Sequence, residues 1–124
     1  MKRVTLLVLG AVIVATVVLA VLGLMAGCAM GPRTVILTLD AKGCLFAGEQ
    51  DHSAIPAYQV QAVDTTGAGD VFCGTLATAL VEGRTLREGL RFASAAAAIA
   101  VTRMGAQPSI PKRQEINEFL ASRA

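Results

Sequence analysis

The stretch DTTGAGD, residues 64–70, lies between an alternating apolar run and the run DVFCGTLATALVE, which has the length and composition of a helix. Two glycines around one alanine leave the backbone N–H groups unobstructed by large side chains. At the start of a helix, such donors and the helix dipole together form an anion-binding site. Phosphoryl transfer depends mainly on positioning and charge stabilisation, so a transferring phosphoryl group is an anion that needs this arrangement.

The acid that closes this stretch, Asp70, is predicted to be the first helical residue after the turn. It is therefore a candidate for the group that deprotonates an attacking hydroxyl. The alternative is a simple helix cap, because an Asp at a helix start usually has that role and Gly-Ala-Gly is a weak signal on its own. The sequence has no G-x-x-x-x-G-K-[ST] motif, so a P-loop is excluded.

The residues before the loop predict strands. Residues 34–39 (TVILTL) are β-branched and apolar and end in a turn, residues 44–47 return as a second strand, and residues 58–63 alternate as a third. A polar loop is predicted over 48–53, with His52 in solvent.

The residues after the loop predict three helices. The first covers 70–82 and ends at Gly83, a residue suited to the left-handed position after a helix. Thr85 and Glu88 form a capping box that starts the second helix. The third begins near Pro111, and its apolar side chains share one face at helical spacing. Those side chains are Ile116, Phe119 and Leu120.

The first 30 residues differ from the rest of the chain. After Arg3 the next charged residue is Arg33, and the apolar run 4–27 is longer than the roughly 20 residues that span a bilayer. We expect a retained transmembrane anchor and hence membrane association. A secretory signal has a shorter apolar region. A lipoprotein signal, after which Cys28 would become the lipidated first residue, and a mis-started or fused reading frame stay open. The predicted domains are a membrane anchor or signal-like segment, 1–30, and a soluble domain, 31–124.

Composition excludes two classes of site. The net charge is +2, with one tyrosine and no tryptophan, so no basic stripe with interleaved aromatics points to nucleic acid. The cysteines, Cys28, Cys44 and Cys73, have unrelated spacings and the chain has one histidine, which argues against a disulfide framework or a zinc site. Cys44 and Cys73 stand in apolar surroundings and are predicted to be small core residues.

The sequence DTTGAGDVF, residues 64–72, resembles the C-terminal signature of the ribokinase-like (PfkB) sugar kinases. The resemblance runs from about Gly31 through TVILTLDAKG, YQVQAV, LRFASAAAAIAVTR and MGAQPSIP to the last helix, and it is greatest to the C-terminal third of the ribokinases. It implies an α/β fold, the C-terminal part of a ribokinase-like fold with strands followed by three helices. The glycine-rich sugar-binding motif and the lid of the family have no counterpart here, and the apolar segment stands in their place.

The resemblance also implies an activity, namely ATP-dependent phosphorylation of the primary hydroxyl of a pentose such as D-ribose, giving ribose 5-phosphate. ATP, Mg²⁺ and K⁺ are the implied cofactors. Asp70 matches the catalytic base, which contacts the sugar. The residues that match the anion hole are Gly67, Ala68 and Gly69. Those that match the ATP pocket are Thr38, Lys42 and Gly43. Those that match the monovalent-cation site are Asp64, Thr66 through its carbonyl, Ala100, Arg103 and Gly105 through their backbone, and Ser109 through its hydroxyl.

Two departures from the family pattern open a second hypothesis. Asp40 stands where the family typically has a glycine, and about two thirds of a family member are missing. The alternative is therefore a catalytically inactive remnant, truncated or tethered to a membrane. The expected partners are ATP and a small sugar, together with a second copy or a separate chain that supplies the missing portion. The kinase family itself is cytoplasmic.

Overall fold

The structure, a computed structural model, describes residues 18–23, 25–26, 29, 31–48 and 51–123. The predicted anchor, residues 4–27, lies largely outside this set, as does Cys28. The described residues between 18 and 29 are helical. Within the described ranges, no helix combines the length and the apolar character that crossing a membrane requires. The anchor stays a prediction.

The chain divides into two compact units, Met1–Leu39 with Cys44–Ala54, and Asp40–Gly43 with Ile55–Ala124. In the described part of the first unit, the strands β1 (Thr34–Thr38), β2 (Cys44–Gly48) and β3 (His52–Ile55) form a sheet in that order, β3 ending at the first residue of the second unit. β1 and β2 are antiparallel, which confirms the first two predicted strands.

The predicted polar loop 48–53 is wrong at its end. The Gly48 N–H donates to the Asp51 carbonyl at 2.8 Å, which turns the chain early, so His52 already belongs to β3. His52 is exposed, as predicted. Cys44 is buried in β2, also as predicted, and burial raises the pKa of its thiol.

A tight turn opens the second unit. Asp40–Lys42 form a 3₁₀ turn in which the Gly43 N–H donates to the Asp40 carbonyl at 3.1 Å. Asp40 has a φ of 53°, a left-handed conformation that glycine adopts freely and that Asp tolerates better than most residues. This conformation explains why a glycine suits the position.

Three helices form the rest of the second unit: α1 (Ala68–Val81), α2 (Leu86–Ala100) and α3 (Arg113–Ala121). Gly83 follows α1 with a φ of 84°, and the predicted capping box of Thr85 and Glu88 starts α2, so both predictions are confirmed. The three helices share one core, to which α2 contributes mostly alanines that allow close approach. Its buried members are Val71, Ala79, Phe92, Ala95, Ala96, Ile99, Ala100 and Ile116.

Two predictions about this unit are wrong. Tyr58–Val63 contains no strand, because a strand needs a paired neighbour and this segment pairs with no strand in the described part of the chain. Cys73 is exposed rather than buried. It lies on the outer face of α1 one turn before Ala77, which is also exposed.

Candidate active site

The helix that follows the 64–70 loop begins earlier than predicted. Gly67 caps α1 in a left-handed conformation with a φ of 77°, and Ala68 is the first helical residue. Asp70 is therefore the third helical residue, not the first. The left-handed glycine turns the chain so that the Val71 N–H already donates to the Gly67 carbonyl at 2.9 Å.

This early start determines which backbone N–H groups of the loop have no acceptor within the helix. The Ala68 N–H donates to the Thr65 carbonyl at 3.2 Å. The N–H groups of Gly69 and Asp70 lie in the first turn, where a helix provides no acceptor. A Cβ placed on Gly69 would meet open space, so an anion has room to approach. Among the residues predicted for the anion hole, the Gly69 N–H, like that of Asp70, has no intrahelical acceptor, and Gly67 caps the helix. The anion hole itself stays a prediction.

Asp64 organises the loop from its other end. One carboxylate oxygen accepts hydrogen bonds from the Thr66 N–H at 2.9 Å and the Thr66 hydroxyl at 2.6 Å. The other accepts the Gly105 N–H at 2.8 Å, across 41 residues of sequence. These bonds, that of the Thr66 hydroxyl first, lower the pKa of the Asp64 carboxyl.

The segment 101–106, here called the 101–106 turn, holds the loop at two further points. The Val101 carbonyl accepts the N–H groups of Val63 and Asp64, at 2.7 and 3.1 Å. A Cβ built on Gly67 would lie 3.1 Å from the Ala106 Cβ, so the cap of α1 abuts this turn. The start of α1 is therefore located by a segment far away in sequence.

Some of the predicted cation ligands are linked to one another by hydrogen bonds. Asp64 is bonded directly to Thr66 and Gly105. The Ala100 carbonyl accepts the Arg103 N–H at 3.0 Å. Ser109 is fully buried, and its hydroxyl donates to the Ala106 carbonyl at 2.6 Å. Among the described residues, no cluster of three or more His, Cys, Asp or Glu side chains could hold a metal.

A pocket of about 560 Å³ lies beside Asp70. One wall is a face of α1, on which Asp70, Gly74 and Thr78 follow at a spacing of four residues. The other walls come from α2, the segment 106–111 and α3. Its remaining lining residues are Gly67, Val71, Thr75, Phe92, Ala106, Gln107, Ile110, Pro111, Arg113 and Ile116.

The residues predicted for ATP are distributed over both units. Thr38 ends β1 in the first unit, and Lys42 and Gly43 belong to the second. They do not line the pocket beside Asp70. Gly43 has a φ of 99°, and a Cβ there would collide with the backbone of Ile55 and Ala57.

Sequence reasoning missed the side chains around the 101–106 turn and along the pocket. The Arg103 guanidinium donates to Glu115 at 2.5 Å, and the same carboxylate accepts the Lys112 N–H at 2.6 Å. These bonds, that of Arg103 first, lower the pKa of Glu115. Arg113 forms a bidentate ion pair with Glu82 and lies over the Phe92 ring. The i, i+4 spacing from Asp70 could have identified Gly74 and Thr78 as pocket residues.

A family of known proteins matches most of this chain. The family model described as "pfkB family carbohydrate kinase" matches residues 19–113. The chain belongs to the pfkB family of carbohydrate kinases. The match begins inside the apolar segment, twelve residues before Gly31.

Individual relatives are sugar kinases. Ribokinase from Haemophilus influenzae is 51% identical over 90 residues, which are 73% of this chain and 29% of that protein. Fructokinase-1 from Oryza sativa is 37% identical over 97 residues, 73% of this chain and 30% of that protein. The structure of Arabidopsis thaliana ribokinase complexed with ribose and ATP matches with a TM-score of 0.73 and 38% identity, over 77% of this chain and 32% of that one. The chain spans about a third of the length of the relatives it matches.

Proposed function

We propose that this chain carries the phosphoryl-transfer site of an ATP-dependent carbohydrate kinase whose acceptor is the primary hydroxyl of a pentose such as D-ribose. One observation supports this proposal most strongly. Asp70 lines a pocket and lies in the first turn of a helix whose Gly69 and Asp70 N–H groups have no intrahelical acceptor. A proton acceptor and two anion donors are thus located within one helical turn.

In the proposed reaction, Asp70 accepts the proton of the sugar hydroxyl, and the hydroxyl oxygen forms a bond to the γ-phosphorus of ATP. The bond between that phosphorus and the bridging oxygen breaks, and ADP leaves with the electron pair. The N–H groups of Gly69 and Asp70 stabilise the charge on the transferring group. Thr38, Lys42 and Gly43 are proposed to contact ATP.

The donor chemistry around Asp64 fits a monovalent cation such as K⁺. Carboxylate and carbonyl oxygens are the ligands that such a cation takes, and a carboxylate accepting three hydrogen bonds has a lone pair left. Asp64, with Thr66, Ala100, Arg103, Gly105 and Ser109, would hold the ion, which would add positive charge beside the anion donors. Mg²⁺ is expected to bind through the phosphates of ATP.

The test is ADP release by the purified full chain with ATP, Mg²⁺, K⁺ and a panel of pentoses and fructose. Asp70→Asn keeps the shape and removes the proton acceptor, so we expect turnover to fall by about 10²- to 10⁴-fold. Glu118→Gln, on α3 and outside the pocket lining, is the matched control and should leave turnover unchanged. Equal turnover of Asp70→Asn and the parent would refute the proposal. Higher kcat/KM for fructose than for every pentose would refute the pentose assignment.

A second candidate is a chain that is inactive by itself, including an inactive membrane-tethered remnant. It is favoured because the chain spans 29% of the Haemophilus ribokinase, and a base acts only on a sugar that other groups hold within hydrogen-bond reach. Adding the first two thirds of that ribokinase as a separate polypeptide distinguishes the two. Turnover that appears only with this addition supports a split or partner-dependent kinase. No turnover in either case, from a folded chain, supports a remnant.

A further inference from the structure

Glu115 links two segments that meet next to the proposed site. One of its carboxylate oxygens accepts the Arg103 guanidinium at 2.5 Å, and the other accepts the Lys112 N–H at 2.6 Å. Arg103 belongs to the 101–106 turn, and Lys112 is the residue that caps α3. The contact therefore fixes the 101–106 turn to the start of α3, where the core residue Ile116 anchors the helix.

The 101–106 turn in turn contacts the 64–70 loop and the residue that caps α1. Its Gly105 N–H holds the Asp64 carboxylate at 2.8 Å, and Ala106 abuts the glycine that caps α1. A shift of the turn would move both contacts together. The N–H groups of Gly69 and Asp70 lie in the first helical turn after that cap, so their direction depends on the position of the 101–106 turn.

The exposure of the ion pair argues against a role mainly in stability. The Arg103 and Glu115 side chains are 35% and 38% exposed, and partly exposed pairs contribute little to folding because water screens them. The pair is nevertheless placed where a small displacement changes the geometry of the anion donors. Misplacement of reacting groups by about 1 Å can cost 10²-fold in rate.

We propose that Glu115 is a positioning residue, which through Arg103 holds the 101–106 turn against the 64–70 loop and thereby aims the Gly69 and Asp70 N–H groups at the anion. This inference rests on the proposed function for its catalytic meaning. The geometric part is independent of turnover.

The decisive variant is Glu115→Gln, which keeps an acceptor for the Lys112 N–H and removes the charge that holds Arg103. Glu118→Gln is the control, because it lies on the same helix and its carboxylate accepts from Gln114. A second pair separates charge from packing: Arg103→Lys keeps the positive charge, and Arg103→Met keeps a stem of similar length without it.

Two measurements on the full chain are needed. Hydrogen exchange of the Gly105 amide reports the bond to Asp64, and we expect Glu115→Gln to speed it about three- to fivefold, as loss of a partly exposed pair implies. Titration with inorganic phosphate, followed by the Gly69 amide shift, reports the anion donors. We expect the phosphate Kd to rise several-fold in Glu115→Gln and Arg103→Met, to rise less in Arg103→Lys, and to stay unchanged in Glu118→Gln.

These measurements distinguish the positioning role of Glu115 from a packing role and from the proposed function. Unchanged exchange and phosphate affinity in Glu115→Gln overturn the positioning role, whether or not the chain turns over. Equal effects of Arg103→Lys and Arg103→Met also overturn it, because packing alone would then explain the contact. If the parent shifts with phosphate and the variant weakens that shift, but no chain releases ADP either alone or with the added ribokinase portion, the positioning role stands and the proposed function fails. In an active enzyme, the same variant should lower kcat with little change in the sugar KM.

Discussion

Replacing Gly67 with alanine tests whether the cap of α1 must be a glycine. Gly67 has a φ of 77°, and a left-handed conformation costs an alanine about 1 kcal/mol or slightly more. The new Cβ would also lie 3.1 Å from the Ala106 Cβ and 3.3 Å from its Cα. Contacts this short require the 101–106 turn to shift slightly. Overpacking costs about 1–3 kcal/mol of stability, and we take the lower value, about 1 kcal/mol, for a single methyl group. We expect Gly67→Ala to lower the free energy of unfolding by about 2 kcal/mol.

Gly83→Ala is the matched control. Gly83 has a similar φ of 84°, and a Cβ there would meet nothing within 4 Å, so the backbone strain remains without the contact. We expect it to cost about 1 kcal/mol. Both residues belong to the same unit, so urea unfolding followed by the helical circular dichroism signal compares them directly.

The difference between the two variants measures the contact with Ala106. Gly67→Ala should also speed exchange of the Gly105 amide, since Ala106 cannot move without its neighbour, and Gly83→Ala should not. Equal losses of stability would refute the claim that the cap abuts the 101–106 turn. No loss in either variant would refute the left-handed conformation itself.

Other changes test other parts of the chain. Asp40→Gly should raise the free energy of unfolding by about 0.5–1 kcal/mol in a urea titration, because it removes left-handed strain; a loss of stability would contradict this. Hydrogen bonds from the Thr85 hydroxyl and the Thr85 N–H lower the pKa of Glu88 from its usual 4.5. The capping box therefore stabilises the folded chain fully above pH 4.5, and this contribution is lost as the pH falls through the lower pKa of the folded state. Thermal midpoints of the parent and Glu88→Gln should therefore converge on acidification, and a constant difference would contradict this. A thiol reagent should label Cys73 before Cys44, because Cys44 is buried with a raised thiol pKa; mass spectrometry of the peptides gives the order.

The features that sequence predicted well are local. A capping box depends on two residues three positions apart, so Thr85 and Glu88 could be assigned directly from the sequence. The left-handed position after α1 depends on one residue, so Gly83 could be assigned in the same way. The same holds for β1 and β2, which pair across a short turn. The strand predicted at Tyr58–Val63 was wrong, because an alternating pattern shows which side chains could share a face but not whether a neighbouring strand is present to pair with.

The candidate site combines local and distant information. The loop and helix start could be predicted as an anion site from the glycines, but the start was misplaced by two residues because the left-handed cap at Gly67 is a backbone property. Asp64 and Gly105 entered the prediction only as cation ligands implied by the family resemblance, and the hydrogen bond between them, which spans 41 residues, was not predicted. No local sequence motif links Arg103 and Glu115, so the sequence around them does not indicate that they form an ion pair.

The outer face of α1 explains why Cys73 was misassigned. The helix is apolar nearly all round, and such helices are normally buried on all sides. Here Cys73, Ala77 and Leu80 follow one another along its exposed face, and Val81 is 89% exposed. The composition of α1 therefore fits a more enclosed setting than the described residues provide, and the relatives are about three times as long as the matched part. Cys73 lies on this exposed face, so the labelling rate of its thiol measures directly whether an added portion of a kinase covers α1.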